Sequence, residues 1–146
     1  MTSPHLQALL ERKLASLGAY LDELDATLPD TLVEYGSDAT VRRAVERLVQ
    51  VIVECAADAG DLLLAKEGRT VGDTARDIFE GLRSVGVIGD DPGRRFVRDH
   101  SGLRNRIVHD YDELDNIAVW RGARQLVPDG RELLAAMIAR LQPGAG

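Results

Sequence analysis

The chain has 146 residues, 45% of them apolar and 29% charged, a size that suits one hydrophobic core and is too small for two folded domains. Residues 1–146 are therefore expected to form a single domain. Aromatic side chains make up only 4%, and Leu, Ala and Val dominate without the polar alternation of half-buried strands, which excludes an all-β barrel and favours an all-α fold.

The formal charge of −6 does not mark the whole molecule as a nucleic-acid binder, yet that charge is unevenly spread. Residues 94–109 hold Arg94, Arg95, Arg98, Arg104 and Arg106 against the one carboxylate of Asp99, a local +4 set against −10 elsewhere. Cys55 has no second cysteine to pair with, no secretion leader is visible, and no run of about 18 apolar residues occurs. A cytoplasmic protein with no membrane association is expected.

In chain order, Ser3-Pro4 supplies a cap and a residue suited to the first helical position, and leucines from Leu6 to Leu28 follow at steps of three and four. That helix should end near Thr27. Leu28 to Asp38, with Pro29, Gly36 and Ser37, reads as a connection. Between about 38 and 66, Val41, Val45, Leu48, Ile52, Cys55, Ala59 and Leu62 form a heptad-like seam, and Val49, Val53, Ala56 and Leu63 form a second strip beside it. This should be the longest helix, either buried at the centre of the bundle or in contact with a second copy. Gly68 stops it, Asp73 or Thr74 caps a third helix carrying Ile78, Phe79 and Leu82, and Gly86 and Gly89 close that one. A fourth helix follows Asp90-Asp91-Pro92 and carries the arginines. The stretch from Asp112 to Gln142 is helical with an expected break near Val127, ahead of Pro128, and residues 142–146 should fray. The sum is an up-and-down bundle of about five helices.

Most catalytic constellations are missing. There is no phosphate-binding glycine loop with a lysine, no cysteine pair and no His-Glu-x-x-His helix, so neither a metal nor a cofactor is expected. What remains is Leu103-Arg104-Asn105-Arg106-Ile107-Val108-His109-Asp110-Tyr111, which places a cation, a proton-transfer group and a phenol in one short stretch. Such a set suits phosphate esters: the arginine can neutralise charge at a pentacovalent phosphorus, and the imidazole can take the proton of an attacking 2′-hydroxyl or give one to the leaving oxygen. At about 100° per residue, however, Arg104 and His109 lie roughly 140° apart around a helix. The spacing favours a cleft shared between two copies.

Arg104, four intervening residues, His109, one residue and Tyr111, on the penultimate part of an all-helical chain and with the polar Asn105 after the arginine, resembles the HepT-like branch of the HEPN ribonucleases. The resemblance implies a homodimeric, metal-independent endoribonuclease, the toxin of a type VII-like toxin–antitoxin module. It also implies an RNA substrate, tRNA or mRNA, and products ending in 2′,3′-cyclic phosphate. Its implied antitoxin is an MntA-like minimal nucleotidyltransferase that transfers AMP from ATP onto the motif tyrosine, here Tyr111. Arg104 and His109 would be catalytic, with Asn105 in support.

Plainer roles compete with these. Arg104 could pair with Asp110 or Asp112, His109 could serve a helix C-terminus, and Tyr111 could anchor a core. Arg43, Arg47, Gln50, Glu54, Asp58 and Asp61 share a stripe that reads as a solvated face; within it Glu54, flanked by apolar residues, could orient Arg104. Arg94, Arg95, Arg98 and Arg106 either track RNA phosphates or solubilise their helix. The competing functions are a non-catalytic adaptor for a nucleotidyltransferase and a nucleotide-binding module.

Overall fold

The computed structural model describes residues 4–141, so the Ser3 cap and the 142–146 tail lie outside the described residues. Helix α1 (Pro4–Thr27) buries Leu10, Leu14, Leu17, Leu21 and Leu24 on one stripe and ends where the leucine spacing predicts. The connection after it holds a short helix, α2 (Leu32–Ser37), that the spacing of apolar residues does not reveal. Its cause is local: Thr31 accepts a hydrogen bond from the Glu34 amide at 3.1 Å, and Tyr35 drops into the core. The Thr-x-x-Glu pattern from Thr31 to Glu34 was the available signal.

Helix α3 (Ala39–Lys66) is capped by Asp38, whose carboxylate accepts from the amides of Thr40 and Val41, and at 28 residues it is the longest. Both apolar strips are buried, from Val45 and Val49 through Ile52, Val53 and Ala56 to Leu63. Burial inside its own bundle accounts for the broad apolar face, because α1, α2 and three later helices all pack against it. Gly68 ends the helix region at φ 73°, a left-handed turn that costs glycine least.

Thr74 and Asp77 form a reciprocal capping box for α4 (Ala75–Ser84). Helix α5 (Asp90–Arg94), a π-helical turn (Arg95–His100) and α6 (Ser101–His109) run on without interruption. Across the π turn the Ser101 hydroxyl, at the start of α6, donates to the Phe96 carbonyl at 2.6 Å. The widened turn resets the phase of α6 relative to Arg94 and Arg95, so a uniform count at about 100° per residue does not carry across it. A short 3₁₀ turn (Tyr111–Glu113) leads to α7 (Asn116–Leu141).

The break expected near Val127 does not occur: α7 continues through Pro128. The proline ring faces solvent, where the carbonyl it deprives of a partner can take one from water. On the other side, Leu126, Val127 and Leu133 are buried, and a Cβ at Gly130 would come within 2.6 Å of Leu21, so packing against α1 holds both halves in line. The result is an up-and-down bundle in which α1, α3 and α7 pack on one another while α4 and the α5–α6 rod cover the remaining side of α3. Among the described residues no helix is long and apolar enough to cross a membrane.

One polar network ties the rod to α7. Asp129 is 3% exposed and accepts from Arg95 Nε at 2.7 Å and Nη2 at 2.8 Å, from His100 Nε2 at 2.8 Å and from Gln125. Burial pushes its carboxyl upward, but the hydrogen bonds from Arg95, His100 and Gln125 and the charge of His100 outweigh this and hold it well below the usual carboxylate range. Asp129→Asn should destabilise the fold by about 3 kcal/mol in urea unfolding at neutral pH. A carboxyl whose folded value is depressed contributes stability above its unfolded value and loses it as pH falls. The gap between wild type and variant should therefore be full above about pH 4 and narrow in more acidic solution.

Candidate active site

Arg104 projects from α6 toward α3, where its Nε and Nη2 donate to Glu54 Oε1 at 3.2 and 2.8 Å. Gln50 donates to the same oxygen at 3.1 Å, and Arg104 Nη1 donates to Asn105 Oδ1 at 3.2 Å. Partial burial raises the Glu54 carboxyl, but hydrogen bonds from Arg104 and Gln50 and the charges of Arg104 and Arg47 prevail and lower it below its ordinary value. The arginine is thus paired with the carboxylate singled out on α3, and with neither Asp110 nor Asp112. Arg43, Arg47, Asp58 and Asp61 of that stripe are exposed, while Gln50 and Glu54 are half-buried against α6.

Arg104 and Asn105 open onto a cavity of about 570 Å³ between α3, α4 and α6, which Arg76, Thr74 and Ser101 also line. His109 is not in it. It is the last residue of α6, exposed, and set around the helix from Arg104 as the five-residue spacing requires. Within one chain the two residues therefore address different sides of the same helix. Tyr111 begins the 3₁₀ turn and is 52% exposed, so its ring does not anchor the core.

Two residues beside Tyr111 escaped sequence reasoning. Glu46 on α3 is buried to 9% exposure, and burial raises its carboxyl while the Tyr111 phenol, Arg42 and Arg43 act in the opposite direction. Tyr35 is wholly buried next to it; desolvation and the neighbouring Glu46 push its phenol up, and its hydroxyl has no hydrogen-bond partner among the described residues. The signal was present: Glu46 interrupts an apolar strip between Val45, Leu48 and Val49, just as Glu54 does further along.

The remaining arginines do not form one patch. Arg94 lies by Glu80 and Arg83, Arg95 is committed to Asp129, and Arg98 and Arg106 line a separate cavity between α6 and α7. Cys55 is buried and its thiol donates to the Lys13 carbonyl at 3.3 Å, while the Trp120 indole donates to the Pro29 carbonyl at 3.1 Å. Among the described residues no group of His, Cys, Asp and Glu could hold a metal ion.

The family model for the HepT-like proteins, described as Ribonuclease HepT-like, matches residues 17–137. The tRNA nuclease HepT of Aphanizomenon flos-aquae (strain 2012/KM1/D3) is 32% identical over 107 residues, which cover 73% of this chain and 72% of that protein. The tri-AMPylated Shewanella oneidensis HEPN toxin, solved in complex with MNT antitoxin, superposes with a TM-score of 0.79 at 21% identity, covering 89% of this chain and 96% of that one. The Bacillus subtilis cytosolic protein YutE, of unknown function, gives 0.76 at 16% identity over 92% and 90%. At these identities the two structures establish a shared fold. The chain belongs to the ribonuclease HepT-like family, which places it in the class of endoribonucleases.

Because Glu54 is partly exposed, its pair with Arg104 contributes little to folding and much to where the guanidinium sits. Glu54→Gln should leave stability within about 1 kcal/mol of wild type while lowering RNA cleavage roughly tenfold, read by thermal denaturation and a gel-based cleavage assay on the same preparation.

Proposed function

We propose that this chain is the toxin of a type VII-like toxin–antitoxin module, a homodimeric, metal-independent endoribonuclease whose cleft pairs Arg104 of one protomer with His109 of the other. The observation that carries the reading is the Arg104, His109 and Tyr111 triplet at the end of α6, with the arginine oriented by Glu54 and Asn105 and the other two exposed. Their separation around the helix supports a site completed by a second copy. The name of the curated relative supports tRNA as the substrate class.

In this mechanism the 2′-hydroxyl attacks the adjacent phosphorus as its proton passes to the His109 imidazole. A bond forms from O2′ to phosphorus, the bond to O5′ breaks, and the imidazolium returns the proton to O5′. The products are a 2′,3′-cyclic phosphate and a free 5′-hydroxyl, with atoms and charge balanced and no metal step. Arg104 meets the extra negative charge on the pentacovalent phosphorus.

The placement of Tyr111 supports neutralisation by modification. Tyr111 is accessible and next to Glu46, so its phenol oxygen can attack the α-phosphorus of ATP held by an MntA-like nucleotidyltransferase, with pyrophosphate leaving and the phenol proton passing to the transferase or solvent. An AMP group there sets negative charge beside the site that must accept RNA phosphate. The toxin and its partner would meet in the cytoplasm.

Cleavage of tRNA by the purified protein in excess EDTA, with product ends tested for cyclic phosphate, examines this reading. His109→Ala and Arg104→Ala should each reduce the rate by about 10²-fold or more. Full activity in both variants would overturn it. Co-expression with the nucleotidyltransferase should add AMP to wild type and not to Tyr111→Phe, by intact mass, and only wild type should lose cleavage. A second reading draws on the Arg104 guanidinium being engaged by Glu54 and Asn105 within its own chain. In it the protein is a non-catalytic adaptor or nucleotide-binding module, and a folded, unmodified dimer that binds its partner but cuts nothing would favour it.

A further inference from the structure

The cavity between α6 and α7 is separate from the one onto which Arg104 and Asn105 open. It measures about 420 Å³, within the size range of ligand pockets, and four arginines, Arg95, Arg98, Arg106 and Arg121, line it against the one carboxylate of Asp99, with His100 and Gln125 beside them. Arg95 is held by Asp129 and Arg98 by Asp99 at 3.0 Å. Arg106 and Arg121 are exposed, and neither forms an ion pair among the described residues. The groove is open because Gly102, Ala118 and Gly122 line it, and α6 and α7 approach closely enough that a Cβ at Gly122 would come within 2.5 Å of Leu103.

Phase along α6 links this groove to the histidine. Gly102, Arg106 and His109 fall within about 60° of one another, whereas Arg104 lies on the far side. His109 therefore caps the stripe that lines the cationic groove. A chain carrying −10 outside residues 94–109 repels a polyanion over most of its surface, which concentrates phosphate binding where unpaired guanidinium groups collect. A guanidinium fork also matches phosphate oxygens in pairs.

We infer that the α6–α7 groove is a phosphodiester-binding subsite, in which Arg106 and Arg121 hold the backbone of single-stranded RNA flanking the bond presented to His109. The buried Arg95–Asp129–His100 network forms its rigid floor and fixes the line of the two helices. The inference rests on the RNA-cleaving reading, and it is tested by binding alone so that the two can fail separately.

The probe is a single-stranded RNA with every 2′-hydroxyl methylated, which cannot be cut, titrated by fluorescence anisotropy across a salt series. Arg106→Ala combined with Arg121→Ala should weaken binding at least tenfold and reduce the slope of log K against log salt by about 1.4, the loss of two phosphate contacts on a single strand. Arg131→Ala, which removes a cation paired with Asp22 and Asp25 elsewhere, should bind as wild type. Affinity and slope unchanged in the double variant would overturn the proposal, as would an equal loss in Arg131→Ala. A protein that cuts no RNA but shows the predicted loss would refute the nuclease reading and leave the subsite standing.

Discussion

Helix α3 is apolar along two adjacent strips, and covering both is the constraint from which the rest of the molecule follows. Helices α1, α4, α6 and α7 all pack against it. Two carboxylates stand among its apolar residues, Glu46 buried and Glu54 half-buried, and each meets partners from its surroundings. Glu54 is met by Arg104 and Gln50, and Glu46 by the Tyr111 phenol with Arg42 and Arg43 nearby.

These two carboxylates stand eight residues apart, about 12 Å along the helix axis, and they face the arginine and the tyrosine of the Arg104–Tyr111 stretch in reversed order. The α3–α6 pairing is thus antiparallel, and its register is what sets the motif. Glu54 points the guanidinium into the α4 side of the bundle, while the helix end at His109 and the turn at Tyr111 stay exposed. An ion pair of this partly exposed kind adds little to stability and specifies direction instead. Rigidity comes from elsewhere, chiefly the buried Asp129 network that clamps the α5–α6 rod to α7.

The long helices were legible because leucine and valine spacing reports burial directly, and of the two cap candidates Asp73 and Thr74 the structure uses Thr74. Pro128 misled because the missing N–H is visible in a sequence, whereas the packing of Leu126, Val127 and Gly130 that outweighs it is not. The short α2 was hidden by its length, too brief for periodicity to register. The π turn is invisible to a fixed 3.6-residue count, yet it decides which arginines of the basic segment share a face. The Arg104, His109 and Tyr111 spacing identified the family, and Glu54 could be suspected as a charge on an apolar flank. Glu46, obeying the same rule, required the fold to show that Tyr111 returns to it.

Arg104 and His109, which one chain sets on different sides of α6, are proposed to act across a dimer interface. Mixing inactive Arg104→Ala protein with inactive His109→Ala protein, after exchange of subunits, tests it most directly. Each mixed dimer would keep one cleft with an intact arginine from one protomer and an intact histidine from the other, so cleavage should return to roughly a quarter of the wild-type rate after random exchange. A mixture that exchanges subunits and stays inactive would contradict the shared cleft.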